Sequence, residues 1–151
     1  MSPLFKIFSF INGLYNSIKL NLFKIFSYKE GEYIKMYPSG NIKIKGYYRK
    51  GLKDDYWISY YETGIKKDEG KYIEGKKEGK WIYYHPNGNI ENNELNTNGE
   101  VDGEFQSFHE NGILSALGRY VNGKREGIFK IYNDEGEQIE EIEFIEGERI
   151  K

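Results

Sequence analysis

Residues 78–89 read Glu-Gly-Lys-Trp-Ile-Tyr-Tyr-His-Pro-Asn-Gly-Asn, and variants of this pattern return every 24 residues along the chain. Counted from residue 32, the chain divides without a gap into units 32–55, 56–79, 80–103, 104–127 and 128–151. Self-similarity at a fixed period of this length is the signature of a repeat architecture. The sequence therefore predicts one structural unit copied five times.

Three positions of the unit hold the same kind of residue in all five copies. Position 2 is aromatic: Tyr33, Trp57, Trp81, Phe105 and Phe129. Position 9 is glycine: Gly40, Gly64, Gly88, Gly112 and Gly136. Position 20 is also glycine: Gly51, Gly75, Gly99, Gly123 and Gly147. Aromatic residues favour strands and glycines favour the tight turns between them, so each unit is expected to be a β-hairpin.

The first unit shows the expected order of elements. A first strand at 33–37 leads into a turn at 38–41, a second strand covers 42–48, and a second turn covers 49–53. Glycine in such turns supplies the positive φ that a short hairpin needs. Five units then give ten short strands in sequential antiparallel pairing. The predicted fold is all-β, an elongated, twisted antiparallel meander of hairpins.

Position 5 is a second bulky column, with Met36, Tyr60, Tyr84, Phe108 and Tyr132. Positions 2 and 5 fall on opposite faces of a regular strand, so either a bulge lies between them or both faces carry aromatic rows. The rings are expected to form stacked core ladders between repeats. A stacking platform for bases or sugars is the alternative, but it lacks the basic groove that nucleic acid requires.

The first 29 residues do not fit the repeat. They carry four lysines and no acidic residue, whereas the remainder has a net charge of −6. At helical period one face is apolar: Leu4, Phe8, Ile11, Tyr15, Ile18, Leu22, Ile25 and Phe26. This predicts a basic amphipathic helix, with a break near Gly13 as an option.

Two roles are open for this segment. The helix caps or covers the sheet, as solenoid ends require, or residues 4–27 lie on an anionic membrane surface. A secretion signal fits poorly, because lysines interrupt the apolar run and no cleavage site follows. No uncharged stretch is long enough to span a bilayer.

The chain offers little catalytic chemistry. It has no cysteine, which excludes disulfides and thiolate metal sites. His85 and His109 occupy the same position one unit apart, about 10 Å from each other across two strand spacings, too far to share a metal ion. The glycines recur in hairpin turns and not in a phosphate loop. We therefore expect no enzyme activity, no metal, no cofactor and no nucleic-acid binding.

The third unit is the most divergent. Its second half has Glu94, Asn96 and Thr97 where other units have glycine, tyrosine and an apolar residue. The sheet is expected to be locally weak there.

Residues 78–89 and 118–127, with Asn-Gly at 98–99 and 111–112, resemble the variant MORN repeat and most closely its bacterial YwqK-type family of toxin–antitoxin systems. The resemblance covers residues 31–151 and departs in the third unit and at Ile142. It implies a stacked-hairpin sheet without catalytic residues, which binds proteins. It also implies two finer roles, neutralising a toxin or attaching to acidic lipids.

Two functional hypotheses follow. The first is a protein-interaction scaffold, with an antitoxin-like or immunity-like role as its finer form, whose acidic repeat body suits a basic partner such as a basic toxin. It would bind by face contact or by strand addition at an edge. Its expected contact row is position 6, with Tyr37, Tyr61, His85 and His109. The second is a membrane-peripheral protein attached through residues 4–27. The expected compartment is the cytoplasm, with or without membrane association.

Overall fold

A computed structural model of the chain describes residues 29–150. The helix predicted within the N-terminal segment lies outside the described residues. The described part contains eleven strands: β1 Gly31–Met36, β2 Ile42–Arg49, β3 Leu52–Tyr60, β4 Lys66–Ile73, β5 Lys76–Tyr84, β6 Ile90–Thr97, β7 Glu100–Phe108, β8 Leu114–Val121, β9 Lys124–Tyr132, β10 Gln138–Ile145 and β11 Glu148–Arg149.

The strands form a single sheet in which every strand pairs antiparallel with its neighbours in sequence. The prediction of an all-β antiparallel meander is confirmed. The count of ten strands was one too low, because a two-residue strand, β11, pairs with the end of β10. The strands also run across the unit boundaries, so that β3 contains the end of the first unit and the start of the second.

Each glycine column has a conformational cause. One turn lies at positions 19 and 20 of the unit. In the first unit these are Lys50 and Gly51, which both have positive φ, 51° and 81°, and lie between the paired residues Arg49 and Leu52. A two-residue loop with two positive φ values is a type I′ turn, the loop that matches the twist of a hairpin. At the other turn, the Gly40 amide donates to the Tyr37 carbonyl at 3.0 Å, and Gly40 has φ 89°.

Position 24 also has positive φ, although it lies inside a strand. Asp55 has φ 58°, and Gly79 has φ 69° at the same place one unit on. Near this point the register between β2 and β3 shifts, because Lys45 pairs with Ile58 whereas Tyr47 pairs with Asp54. Such a bulge increases local twist, and the same register shift recurs between β4 and β5, β6 and β7, and β8 and β9.

The sheet has two unlike faces, and both carry aromatic side chains. Trp57 and its position-2 equivalents define what we call the ladder face. Tyr56 and Ile58, its neighbours in the strand, point to the opposite side, which we call the groove face. Tyr84, at position 5, also lies on the groove face. Its hydroxyl donates a hydrogen bond to Glu69, and Glu69 is paired with Ile58 between β3 and β4.

The core is a row of rings on the ladder face. Trp57 and Trp81 are each 2% exposed. Tyr48 meets Trp57 edge-on at 4.9 Å between centroids, and Tyr72 meets Trp81 in the same way at 4.9 Å. Edge-to-face contact is a favoured geometry for aromatic pairs. The core interpretation of these rings is therefore supported, and rings buried to this degree cannot form an open stacking platform.

A polar cluster in the third unit interrupts this row. Glu94 occupies the glycine position and accepts hydrogen bonds from Tyr83 at 2.8 Å and Asn96 at 3.2 Å. The Lys77 ammonium lies 3.8 Å from the same oxygen. Asn96, 2% exposed, stands where other units have a ring. Strand pairing continues on both sides of β6, and the expected local weakness of the sheet stays a prediction.

Candidate functional site

Cations cover much of the ladder face. The Lys53 ammonium lies 4.4 Å from the Trp57 ring centroid and 4.7 Å from that of Tyr72. Burial lowers the pKa of Lys53, an effect that nearby Asp68 opposes and Lys77 reinforces. Position 22 repeats the arrangement through Lys77 and Arg125, and Lys29 does so before the first unit. Cation–π contacts thus extend the core outward.

Our sequence reasoning missed this cation row. Its signal was a basic residue at position 22 in four of the five units: Lys53, Lys77, Arg125 and Arg149. The exception is Val101, in the third unit, where the ring row is also interrupted. Rings and cations satisfy one another on the ladder face, so this face offers a partner little unpaired surface.

The predicted contact row has a structural role in this fold. The Tyr37 and Tyr61 hydroxyls donate to the carbonyls of Tyr60 and Tyr84, at 2.8 and 2.7 Å. His85 and His109 reach the carbonyls of Phe108 and Tyr132 through Nε2, both at 2.9 Å. A carbonyl only accepts, so each Nε2 carries a proton.

The four side chains are therefore held in one partly buried row, and each bonds to the repeat that follows it. Contact between this row and a partner stays a prediction.

The groove face carries most of the exposed apolar surface. Of the large apolar side chains that remain exposed within residues 29–150, alternation along the strands places all but Ile139 and Ile150 on this face. They are Ile34, Met36, Leu52, Tyr56, Ile73, Ile90, Leu95, Ile128 and Ile145. Such a patch on one side of a sheet indicates an interaction surface.

Two shallow grooves lie between the side chains of this face. One lies over Gly46 between Ile34 and Tyr56. A second lies over Gly118, with Leu95, Leu117 and Ile128 as its apolar lining. The second groove also has Glu104, Glu126 and Arg119 at its sides.

A saturated ionic cluster lies between these grooves. The Glu69 side chain is buried. The Lys66 ammonium donates to both of its carboxylate oxygens at 2.9 Å, and the Tyr84 hydroxyl donates to one of them at 2.5 Å. Burial alone would raise the pKa of Glu69, but these hydrogen bonds outweigh it and lower the pKa. Burial and the bond to Glu69 raise the pKa of Tyr84. A carboxylate so fully occupied stabilises the fold and is not free to act as a base.

Charge is divided unevenly along the array. Residues 29–79 carry twelve basic and nine acidic side chains, a net charge of +3. Residues 80–150 carry six basic and fifteen acidic ones, a net charge of −9. The second groove lies in this acidic half, and Glu143 pairs with Ile128 at its edge. An apolar groove in a strongly negative field favours a partner with positive charge.

The described residues contain neither a metal-binding cluster nor a membrane-spanning helix. Within 29–150, no three His, Cys, Asp or Glu side chains are arranged to hold a metal ion. The same part of the chain has no helix with the length and apolar character needed to cross a membrane.

Three segments of the chain, residues 29–50, 77–93 and 101–122, match the MORN repeat variant family. Their first residues are 48 and 24 positions apart, in phase with the hairpin period. A comparison with curated proteins gives no match. These three segments therefore resemble variant MORN repeats, and such repeats are commonly protein- or membrane-interaction modules and typically non-catalytic.

Proposed function

We propose that the hairpin array is a non-catalytic scaffold that binds a basic protein partner on the groove face of residues 80–150. The observation that carries the proposal is the second groove. Apolar side chains line it, backbone glycine forms its floor, and it lies in the half of the sheet with a net charge of −9.

The groove suits a partner segment that has an apolar residue next to a lysine or arginine. The apolar residue would contact Leu95 and Ile128, which are 45% and 51% exposed, and the cation would meet Glu104. Burial of the apolar contact supplies affinity, while the charges raise the association rate and select the partner. In the finer form of the proposal, the partner is a basic toxin that binding neutralises, as the YwqK-type resemblance implies.

A charge-reversal pair tests the proposal. The tagged full chain is used to isolate its partner from the native cell, and the affinity for the purified partner is then measured. Glu104→Lys should weaken binding by roughly tenfold or more, as expected when a charge that faces an opposite charge is reversed. Glu135→Lys makes the same charge change on an exposed turn and should have little effect. Equal affinities for the two variants would contradict this site.

The N-terminal segment supports a second candidate function, attachment to an anionic membrane. Four lysines without an acidic residue in residues 1–29 favour it. Flotation of the full chain with anionic vesicles tests this role, and a chain that stays in the unbound fraction would end it.

A further inference from the structure

The apolar groove face needs a cover, since the exposed side chains extend along most of the sheet. Ile34 is 55% exposed on β1, Tyr56 is 50% exposed on β3, and Leu95 and Ile128 continue the series on β6 and β9. The ladder face is largely filled by its own rings and cations. The unsatisfied apolar surface is therefore concentrated on one side of the sheet.

We infer that residues 4–27 of the same chain pack across the groove face, with the apolar face of the segment against Ile34, Tyr56, Leu95 and Ile128. The inference holds whether or not a partner exists, and it does not rest on the proposed function. In the free protein, residues 4–27 would then occupy the surface where we place the partner.

The lengths agree. If residues 4–27 are helical, as their pattern predicts, the helix is about 36 Å long at ~1.5 Å per residue. Neighbouring strands are ~4.8 Å apart, so the eight spacings from β1 to β9 cover about 38 Å. Such a helix, laid across the strands from the β1 end, would reach from Ile34 to the neighbourhood of Ile128.

The connection and the charges agree as well. Tyr28 precedes Lys29, which lies next to β1, so the segment is tethered at one end of the apolar row. A short tether makes docking intramolecular and raises the effective concentration of the segment at the face. Its charges are all positive, and the far half of its path crosses residues 80–150, which have a net charge of −9 and carry Glu104, Glu126, Glu141 and Glu143 on the groove face.

A cleavage experiment on the full chain tests the inference. A protease site inserted between Tyr28 and Lys29 is cut in the folded protein, and the products are separated by size. The fragment of residues 1–28 should remain bound to the array in a 1:1 complex. The fluorescence of Trp57 and Trp81, the only tryptophans in the chain, checks that the array stays folded.

Matched variants locate the contact. The double variant Leu95→Asp/Ile128→Asp should release the fragment, with retention at least about tenfold weaker. Thr63→Asp, which adds charge on an exposed turn, should leave retention unchanged. Release of the fragment from the unmodified array would overturn the inference, as would its recovery on anionic vesicles. A complex of twice the expected mass would place the segment on a second copy and overturn the same-chain form.

Thiol protection gives a second readout in the uncut chain, which has no cysteine of its own. The thiol of Ile128→Cys should react about tenfold more slowly than that of Thr63→Cys, because it is reached only in a minor, open state. Equal rates would mean that the face is uncovered. The partner-affinity measurement is separate, so a failure here leaves the proposed function standing, and the reverse also holds.

Discussion

The indole ring of Trp57 lies directly against the backbone of Gly46. A Cβ atom at Gly46 would be 2.2 Å from Cδ2 of Trp57, a distance that forces either the ring or the strand to move. Gly70 and Trp81 repeat the relationship at 2.4 Å, and Gly118 and Phe129 at 2.5 Å. The ring row packs as closely as it does because position 15 presents bare backbone to the ring of the following unit.

Gly46→Ala should therefore destabilise the array by roughly 2 kcal/mol or more, through overpacking. Urea unfolding, followed by tryptophan fluorescence, measures the change in the free energy of unfolding. Gly79→Asp is the matched control, because nothing lies within 4 Å of a Cβ at Gly79 and Asp55 already occupies this position in the first unit. The control should cost less than about 1 kcal/mol. Similar costs for both variants would show that the Trp57 contact is not the cause.

The third unit allows a repair experiment. Glu94→Gly alone removes the acceptor shared by Tyr83 and Asn96, and leaving buried donors unpaired costs about 1–3 kcal/mol. The triple variant Glu94→Gly/Asn96→Tyr/Val101→Lys instead restores the ring and cation rows of the other units. It should be more stable than the natural chain by about 1–3 kcal/mol. Thermal unfolding of the single and triple variants gives the sign of each change, and a triple variant less stable than the single one would refute the repair.

The repeat pattern was sufficient to predict the hairpins, because each turn glycine has a local cause in its own φ. The division of the faces was harder to predict. Whether Trp57 and Tyr60 share a face depends on strand register and bulges, and residue types do not reveal bulge positions. The cation row depends on contacts between Lys53 and rings on two strands, Trp57 and Tyr72, which become neighbours only through pairing.

The predicted partner row shows the same limit. From residue type alone, Tyr37 and His85 are predicted to be polar surface groups. Their hydrogen bonds to the next repeat depend on the stacking distance between turns, which appears only in the folded sheet. The groove face was missed for a related reason, since its apolar side chains lie far apart in sequence and meet only across strands.

Acid should destabilise the array partly through Glu69. Hydrogen bonds from Tyr84 and Lys66 hold the folded-state pKa of Glu69 below its ordinary value despite burial. The stabilisation is therefore present above about pH 4.3, the ordinary glutamate value, and is lost as pH falls from there through the folded-state pKa.

Glu69→Gln should lose roughly 2 kcal/mol at neutral pH, since hydrogen bonds to a charged group are removed. Its stability should also depend less steeply on pH below about 4.3 than that of the natural chain. Urea unfolding across pH 3 to 7 provides both quantities, with Glu135→Gln on an exposed turn as control. Parallel pH profiles for Glu69→Gln and the natural chain would exclude Glu69 as a source of the acid sensitivity.

The position-6 row can be separated into structural and binding roles by exchanging residues between repeats. His85→Phe keeps a ring but removes the Nε2–H donor to the Phe108 carbonyl, and should cost about 1 kcal/mol. His85→Tyr places at this position the side chain that Tyr61 uses to reach the equivalent carbonyl at 2.7 Å, so it should recover most of that loss. Chemical unfolding gives the two free energies, and partner affinity is measured on the same proteins. If His85→Tyr restores stability and affinity together, the row acts through the fold. If it restores stability while affinity stays low, the imidazole itself contacts the partner.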